Sequence, residues 1–325
     1  MKPCVLQHFK MKLQTQIPLI KQSENQLNYS SKILLLGSCF SENIGKKLDF
    51  YKFQTLQNPF GILFHPKAIE NLITNAVTEK KYTENELTFN NERWHCLDAH
   101  STASAIDKNQ VLNNLNSAIL VTNKKITSAT HIIITLGTSW VYKYIETDKI
   151  VANCHKIPQK KFTKELLSVD EITKSLENSI NAIQSINKHV SVLFTVSPVR
   201  HLKDGFIENT QSKAHLITAI HNILEQKCAF YFPSYEIMMD ELRDYRFYAE
   251  DMIHPNNTAV NYIWERFITT WFTEESKVLM QEISNIQRGI SHRPFNETTE
   301  QHQQFLRNLE VKKEQLKTRF SFINF

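Results

Sequence analysis

The sequence predicts an α/β fold, a three-layer sandwich in which a central parallel sheet is covered by helices on both faces. Short apolar runs at residues 33–36, 131–136 and 190–196 are typical of strands that are buried on both sides. Segments with apolar residues at helical spacing separate these runs. With 325 residues, of which 41% are hydrophobic and 22% are charged, the chain can bury a large core.

The first half of the chain alternates strand and helix. The run 33–36 ends in glycine and serine, and polar residues suited to a helix start follow it. Residues 53–56 predict a second strand, and residues 66–77 predict a helix with proline in its first turn. Residues 82–104 are less regular, and we expect an insertion over the crevice at the sheet edge. A helix is expected over residues 111–121.

The second half continues the alternation. Residues 131–136 predict a β-branched central strand, and residues 140–144 and 149–153 predict a hairpin. A capping box that starts at Ser168 predicts a helix to Ile186. The remaining predicted elements are the strand 190–196, the helix 214–224, the short strand 229–232 and the helix 256–271 with Asn256 as its cap.

The composition changes near the carboxyl end. Residues 30–275 carry the alternating pattern and predict one α/β domain, and residues 276–325 predict a helical extension. An apolar stripe at helical spacing runs along this extension through Phe305, Leu309, Leu316 and Phe320. Such a stripe usually packs against the core of its own chain. The alternative is a homo-oligomer that pairs through this helix.

Composition and charge favour a soluble protein without a nucleic-acid or membrane partner. The net charge of +5 comes from lysines that are spread along the chain, and aromatic residues do not interleave with them as in a base-stacking surface. No run approaches the roughly 20 apolar residues of a membrane span, and residues 1–21 lack the apolar stretch of a secretory signal. The five cysteines are scattered, which argues against a disulfide framework. We therefore expect a cytoplasmic location.

A serine after the first strand is the candidate nucleophile. Ser38 would lie at the carboxyl end of a parallel strand and beside a helix amino terminus, where open α/β sheets place ligands. Backbone N–H groups at such a position can stabilise an oxyanion. A Gly-Ser pair after a strand is also a common turn. Cys39 is an alternative nucleophile, although its side chain is expected to point away from that of Ser38.

A carboxylate and an imidazole share one short segment near the far end of the domain. Asp251 and His254 are three residues apart, so one turn can carry both side chains. Asp251 could then orient His254 as a general base towards the hydroxyl of Ser38. Neither segment is specific alone, and the order of the two along an alternating chain is what favours a catalytic interpretation.

Residues 37–41 read Gly-Ser-Cys-Phe-Ser, and with this motif the chain resembles the GSCFA family within the SGNH/GDSL hydrolase superfamily. The last motif letter differs, since serine replaces alanine. Other segments that are similar to the family are residues 58–62, 132–140, 153–156 and 196–201. The resemblance covers roughly residues 30–275 and implies an SGNH-hydrolase-like, flavodoxin-like sandwich.

The resemblance also implies a set of site residues. For SGNH enzymes it implies a triad, here Ser38, His254 and Asp251. It further implies an oxyanion hole formed by the serine N–H, the N–H of Gly61 and an asparagine amide. The third position departs from the superfamily pattern, because Ser139 stands where the asparagine is expected.

Three further residues are candidates for oxyanion or substrate binding. Asn153 could supply an amide from another segment, and the alternative is a turn asparagine that bonds its own backbone. His100 and His155 fall on segments expected to overhang the crevice, and the alternative for each is a structural histidine. The cysteines and histidines of residues 94–100 and 154–155 lack the paired spacing of a metal site, so we expect no metal.

These residues predict a serine-dependent esterase or acyltransferase that needs no cofactor. Its substrate would be an acyl ester, such as an O-acetyl ester, of a small molecule or carbohydrate. The alternative is a non-catalytic small-molecule or glycan-binding module that keeps the fold and lacks a competent oxyanion hole at Ser139.

Overall fold

The computed structural model describes residues 14–325. Residues 1–13, which make up most of the segment 1–21 that was predicted to lack a secretory signal, lie outside the described residues. In chain order the strands are β1 (Lys32–Gly37), β2 (Gln54–Gln57), β3 (Leu87–Asn90), β4 (Arg93–Cys96), β5 (His131–Leu136), β6 (Trp140–Tyr144), β7 (Lys149–Val151), β8 (Phe162–Leu166), β9 (Ser191–Val196) and β10 (Phe230–Tyr231). The helices are α1 (Cys39–Phe50), α2 (Pro66–Val77), α3 (Lys108–Ser128), α4 (Val169–Ile186), α5 (Phe206–Glu225), the short α6 (Ser234–Glu236), α7 (Asn257–Trp271), α8 (Glu274–Ile290) and α9 (Glu300–Arg319). No helix between residues 14 and 325 is long and apolar enough to cross a membrane.

The central sheet has five parallel strands in the order β2-β1-β5-β9-β10. Counted along the chain this is the order 2-1-3-4-5 that flavodoxin-like folds share. Parallel neighbours need long crossover connections, which helices and loops supply here. The predicted α/β fold with a central parallel sheet is confirmed.

Strand side chains alternate between two helical layers. Leu34 and Leu36 of β1 face a core shared with α2, α3, α4 and α5. Ile33 and Leu35 face the opposite core, which α1, α7, α8 and α9 complete. This alternation follows from the two-residue period of a strand, and it explains why both faces of the buried strands are mainly apolar.

Two small antiparallel units stand beside the central sheet. The predicted hairpin forms as β6 and β7, and β8 pairs with the other side of β6. The sequence analysis did not predict β8, because Thr163, Lys164 and Glu165 are exposed and polar and its pairing partner determines its conformation. Strands β3 and β4 form a second hairpin within the irregular region 82–104.

Two helices are longer than predicted. Helix α3 begins before residue 111, because the Asp107 side chain accepts the N–H of Asn109 and caps it. Helix α5 starts at Phe206, eight residues before the predicted start, directly after Gly205.

The carboxyl-terminal extension packs against its own chain. Leu309 and Leu316 of the predicted stripe are buried in the core that includes Trp264 and Ile283. Phe305 at the other end of the stripe keeps 38% of its surface exposed. The intramolecular interpretation therefore accounts for the two central residues of the stripe.

Candidate active site

Ser38 lies in the sharp turn between β1 and α1. Gly37 has a φ of +127°, which L side chains rarely adopt, and a Cβ on it would lie 2.1 Å from the carbonyl oxygen of Thr135. Only glycine therefore permits the chain to leave the strand in this way. Ser38 follows in an extended conformation at the N-cap of α1, and its side chain makes no capping hydrogen bond. Strand, turn and helix thus place Ser38 at the carboxyl edge of the sheet.

The hydroxyl of Ser38 is buried and unpartnered. The residue has a relative exposure of 0%, and its Oγ has no hydrogen-bond partner within the described part of the chain. The N–H of Ser38 donates to the carbonyl oxygen of Thr135 over 3.0 Å. The candidate nucleophile therefore has a free hydroxyl, while its N–H, one of the predicted oxyanion donors, is engaged.

Asp251 and His254 form a hydrogen-bonded pair on one turn. Nδ1 of His254 lies 2.7 Å from Oδ2 of Asp251. Oδ1 of Asp251 accepts the N–H groups of Ile253 and His254 at 2.9 and 3.0 Å. These bonds, the one from the His254 backbone first, lower the pKa of Asp251 to about 2. The resulting carboxylate can hold the proton on Nδ1 and leave Nε2 of His254 to accept one.

This turn, residues 251–254, is attached to the loop after β9. The N–H of Arg200 donates to the carbonyl oxygen of Ile253 over 3.2 Å. The Arg200 guanidinium also lies over the ring of Tyr248, 4.5 Å from its centre. Because β9, β5 and β1 are adjacent in the sheet, this attachment holds the 251–254 turn at the same edge as Ser38.

A cavity of about 730 Å³ opens at this edge. Its wall combines the start of α1, the loops after β5 and β9, the small sheet of β6, β7 and β8, and the 251–254 turn. Lining residues include Cys39, Phe64, Thr138, Trp140, Tyr142, Asn153, Arg200, His201 and His254. Ser38 lies next to Cys39 in the chain but does not itself line the cavity.

His201 is a second histidine at this site. Its Nε2 is buried, and none of the residues that the structure describes forms a hydrogen bond with it. A methyl group built on Gly137 would lie 3.0 Å from this nitrogen and 3.3 Å from Cβ of Ser38, so the two side chains are neighbours. The His201 ring meets Phe64 edge to face at 5.4 Å. Burial, and then the nearby Lys213, lowers the pKa of His201 to about 3, so its imidazole is neutral at physiological pH.

Lys213 lies beneath the site and is almost completely buried. Its ammonium group donates to the carbonyl oxygens of Gly137 and Ser197 at 2.7 and 2.8 Å. Burial lowers the pKa of Lys213 from 10.5 to about 7, and the proximity of Cys39 opposes this only in part. Lys213 therefore ties together the loops that follow β5 and β9.

Cys39 lines the 730 Å³ cavity, whereas Ser38 does not. Burial raises the pKa of Cys39 above its ordinary value, and the neighbouring helix N–H groups only partly oppose that effect. A thiol with a raised pKa is mostly protonated at neutral pH and is a weak nucleophile. Ser38 remains the candidate nucleophile.

Gly61 lies away from this cavity. It lines a separate cavity of about 460 Å³, together with Glu42, Asn58 and Thr102. Its N–H donates to the carbonyl oxygen of Asn58 over 2.7 Å. The structure therefore does not bring the Gly61 N–H to the 730 Å³ cavity as a free donor.

Ser139 also faces away from the cavity. The residue is completely buried, and its Oγ lies 3.1 Å from the carbonyl oxygen of Ser212 on α5. Its N–H donates to Oγ of Ser212 over 2.7 Å. Its neighbours Thr138 and Trp140 line the cavity instead. The predicted oxyanion role of Ser139 is therefore not supported, because its hydroxyl is used to dock the β5 loop on α5.

Asn153 lines the cavity, but its side-chain oxygen is hydrogen-bonded within a local turn. Oδ1 of Asn153 accepts the N–H of His155 over 2.8 Å, as a turn asparagine does. His155 is buried, donates from Nε2 to the carbonyl oxygen of Cys96, and stacks on His95 at 4.6 Å. His100 contacts Thr102 and adjoins Gly61 rather than the 730 Å³ cavity. Of these three residues, only Asn153 reaches the cavity.

The soft and imidazole donors of the irregular region are used internally. Both ring nitrogens of His95 have hydrogen-bond partners, Ser104 and the carbonyl oxygen of Asn90. No group of three or more histidine, cysteine or acidic side chains that could hold a metal occurs among residues 14–325.

Two protein-family models match parts of this chain. The model described as the GSCFA family matches residues 32–267, which is more than half of the chain. The chain belongs to the GSCFA family. A second model, described as the C-terminal domain of GSCFA domain proteins, matches residues 283–325. No curated protein is similar enough to be matched with the chain.

The GSCFA match confirms the family predicted from residues 37–41. It spans Ser38, Asp251 and His254, as well as the cavity wall. The second match covers the second half of α8 and all of α9, which pack on the domain core.

Two residues of this GSCFA site were not predicted from the sequence. His201 lies in the segment 196–201, which was noted only for its resemblance to the family. Lys213 shares a helical stripe with Leu216, Ile220 and Ile223, all of which are buried. A lysine on an apolar stripe is unusual, because lysines are rarely fully buried without partners. That spacing was the available signal for Lys213.

Proposed function

We propose that this chain is a serine-dependent esterase or acyltransferase of the SGNH type. The observation that carries the proposal is the 2.7 Å contact between Nδ1 of His254 and Oδ2 of Asp251, on a turn that borders the same cavity as the start of α1. A carboxylate-oriented histidine near a serine at a strand end is the arrangement that activates a hydroxyl for acyl transfer.

In the acylation step Ser38 is the nucleophile. Its Oγ forms a bond to the acyl carbon while its proton passes to Nε2 of His254, and the carbonyl electron pair moves to oxygen. Collapse of this tetrahedral adduct breaks the bond to the leaving alcohol, which takes the proton from His254. Asp251 holds the imidazole and stabilises the imidazolium.

In the second step the acyl group leaves the enzyme. Water or an acceptor alcohol gives a proton to His254 and attacks the acyl carbon, which forms a second tetrahedral adduct. Its collapse breaks the bond to Oγ of Ser38, which takes the proton back from His254, and an acid or a new ester is released. Esterase and acyltransferase activities thus differ only in the acceptor. Neither step requires a cofactor.

The cavity supports a small-molecule or carbohydrate ester as the substrate. Its volume of about 730 Å³ lies in the range of small-ligand sites. The rings of Trp140 and Tyr142 offer apolar faces, and Arg200 and Asn153 offer polar groups. A cytoplasmic location belongs to the same proposal, because Cys39, Cys96, Cys154 and Cys228 are all unpaired.

A binding module is the second candidate function. It is favoured by the complete burial of Ser38 and by the engagement of its N–H with Thr135. Acyl transfer would require the Ser38 hydroxyl to become exposed, whereas binding of a ligand in the cavity would not.

Burst kinetics with p-nitrophenyl acetate would test the proposal. We expect a burst of p-nitrophenol equivalent to the enzyme concentration, loss of the burst in Ser38→Ala, and its retention in the matched variant Cys39→Ala. Thermal stabilisation by acetylated sugars without turnover would instead support the binding module. A burst that survives Ser38→Ala and disappears in Cys39→Ala would overturn the assignment of the nucleophile.

A further inference from the structure

Three of the four predicted oxyanion donors are engaged elsewhere, and the fourth, Asn153, lines the 730 Å³ cavity. The N–H of Ser38 is bonded to Thr135, and that of Gly61 to Asn58. The hydroxyl of Ser139 is directed at Ser212. An enzyme of the proposed type needs a donor where negative charge develops, since one such bond contributes about 100- to 1000-fold in turnover.

His201 is the unpartnered polar side chain beside Ser38. Its Nε2 is buried and has no hydrogen-bond partner among residues 14–325, and the same is true of the Oγ of Ser38. Both side chains adjoin Gly137, where a methyl group would lie 3.0 Å from Nε2 and 3.3 Å from Cβ of Ser38. His201 also lines the 730 Å³ cavity, so a substrate in that cavity would contact it.

We infer that His201 is a further catalytic residue, whose Nε2–H donates a hydrogen bond to the acyl oxygen when Ser38 attacks the ester. This inference rests on the proposed function. The carbonyl electron pair moves to that oxygen as Oγ of Ser38 bonds to the acyl carbon and the proton of Ser38 goes to His254. His201 keeps its own proton throughout and stabilises the oxyanion by hydrogen bonding alone.

The surroundings of His201 suit a neutral donor better than a base. Among residues 14–325 no carboxylate forms a hydrogen bond or ion pair with its ring, whereas Nδ1 of His254 lies 2.7 Å from Oδ2 of Asp251. The buried amine of Lys213 lies nearby and disfavours a second positive charge, which agrees with the lowered pKa of His201. A neutral imidazole protonated on Nε2 can donate from that atom without changing its charge.

The position of His201 is set by its backbone as well as its ring. Its N–H donates to Oδ1 of Asn209 on α5 over 2.9 Å. Phe64 meets the ring edge to face, and Lys213 holds the adjoining loops through Gly137 and Ser197. The backbone of His201, its ring and the adjoining loops are all held in place. The donor therefore loses little conformational entropy when it binds an oxyanion, as catalytic hydrogen bonds require.

Two substitutions separate the hydrogen bond from the shape of the ring. His201→Phe keeps an aromatic ring against Phe64 and removes the donor, whereas His201→Gln removes the ring and keeps an N–H at similar reach. For p-nitrophenyl acetate we expect His201→Phe to lower kcat about 100- to 1000-fold with KM changed less than about threefold. We expect His201→Gln to retain turnover within about tenfold of the wild type, and both variants to melt as cooperative folded proteins.

A boronic acid provides a second readout that a structural role would not change. It bonds to the serine oxygen as a tetrahedral adduct, so its affinity should fall in His201→Phe by about the same factor as kcat/KM. His131→Gln is the matched control, because His131 is a buried histidine at the opposite end of β5. It should leave both kcat and boronate affinity unchanged.

The outcomes distinguish this inference from the proposed function. A wild-type burst that depends on Ser38, together with His201→Phe turnover within threefold of the wild type, overturns the role of His201 and leaves the esterase proposal standing. Equal losses in His201→Phe and His201→Gln also overturn it. A wild type that never forms a Ser38 acyl-enzyme overturns the proposed function and, with it, the role of His201.

Discussion

The ammonium group of Lys213 lies 2.7 Å from the carbonyl oxygen of Gly137, although the two residues are 76 positions apart in the sequence. A second bond from the same group reaches the carbonyl oxygen of Ser197 at 2.8 Å. One buried amine therefore satisfies two backbone carbonyls at the ends of adjacent strands, which would otherwise be buried without partners. The loops that carry Gly137 and lead to His201 are tied together in this way.

The stability of the protein should depend on pH through Lys213. Its pKa is about 7 in the folded protein and about 10.5 when exposed, so between these values the unfolded chain holds one more proton. Stability then rises with pH, by up to about 1.4 kcal/mol of unfolding free energy per pH unit, and this gain is absent below about pH 7. Urea unfolding at pH 7, 8 and 9 should show that the free energy of unfolding of the wild type rises relative to that of Lys213→Met.

A matched control for this prediction is Lys174→Met. Lys174 lies on α4 with its side chain 66% exposed, so its loss should leave the pH dependence of the wild type intact. A stability difference between wild type and Lys213→Met that stays constant from pH 7 to 9 would show that the folded Lys213 keeps its proton throughout.

Asp251→Asn should weaken acyl transfer without unfolding the chain. The amide can still accept the N–H of Ile253, but it no longer holds His254 with a carboxylate, so the wrong imidazole tautomer is favoured. We expect kcat to fall between about 100- and 10,000-fold for an acyl ester. Steady-state assays with parallel thermal melts would measure both effects.

Asp244→Asn is the appropriate comparison for that variant. Asp244 also caps a short turn, through the N–H of Arg246 at 2.8 Å, but it does not line the cavity. Its replacement should leave turnover unchanged. Full activity in Asp251→Asn would remove the acid-base pair from the mechanism.

The sheet and most helices could be predicted from local sequence, because apolar runs indicate buried strands and capping residues indicate helix starts. The β5 strand has the predicted bounds, His131–Leu136, since an uninterrupted β-branched run permits few alternatives. The capping box at Ser168 is present, with its Oγ accepting the N–H of Glu171 over 3.2 Å. By contrast, β8 was not predicted, because its three central residues are exposed and polar and it becomes a strand only by pairing with β6.

The site was harder to predict, because its contacts join residues that are far apart in sequence. The Asp251–His254 pair is local and its geometry matches the spacing that suggested it. The direction of Ser139 is decided by Ser212, 73 residues away, and no local pattern reports that contact. The nearness of His201 and Ser38 likewise depends on the order of β1, β5 and β9 in the sheet.

Ser139→Asn should destabilise the protein and should not raise turnover. The site of Ser139 is fully buried against α5, so a larger amide would overpack it, at a cost of about 1–3 kcal/mol. Ser185→Asn on the exposed end of α4 is the control and should change stability by less than about 0.5 kcal/mol. Urea unfolding and ester turnover would measure the two effects. A faster Ser139→Asn enzyme would support the original assignment of position 139 to the oxyanion hole.

Gly137→Ala should impair the same step as His201→Phe, through crowding rather than loss of a donor. Gly137 is not in the left-handed region, so its φ tolerates alanine, but the new methyl would lie 3.0 Å from Nε2 of His201, 3.1 Å from the backbone carbonyl oxygen of Phe64 and 3.3 Å from Cβ of Ser38. These neighbours must shift by a few tenths of an ångström. Because catalytic geometry tolerates little displacement, we expect kcat to fall about tenfold or more, with a modest loss of stability.

A glycine far from the cavity provides the control for that substitution. Gly289 lies in α8, where the nearest neighbours of a methyl group would be Leu309 and Phe305, which do not line the 730 Å³ cavity, so Gly289→Ala should leave kcat unchanged. Combining Gly137→Ala with His201→Phe should cost little more than His201→Phe alone, since both changes disturb one interaction. Losses that multiply in the double variant would mean that the methyl acts on Ser38 independently of His201.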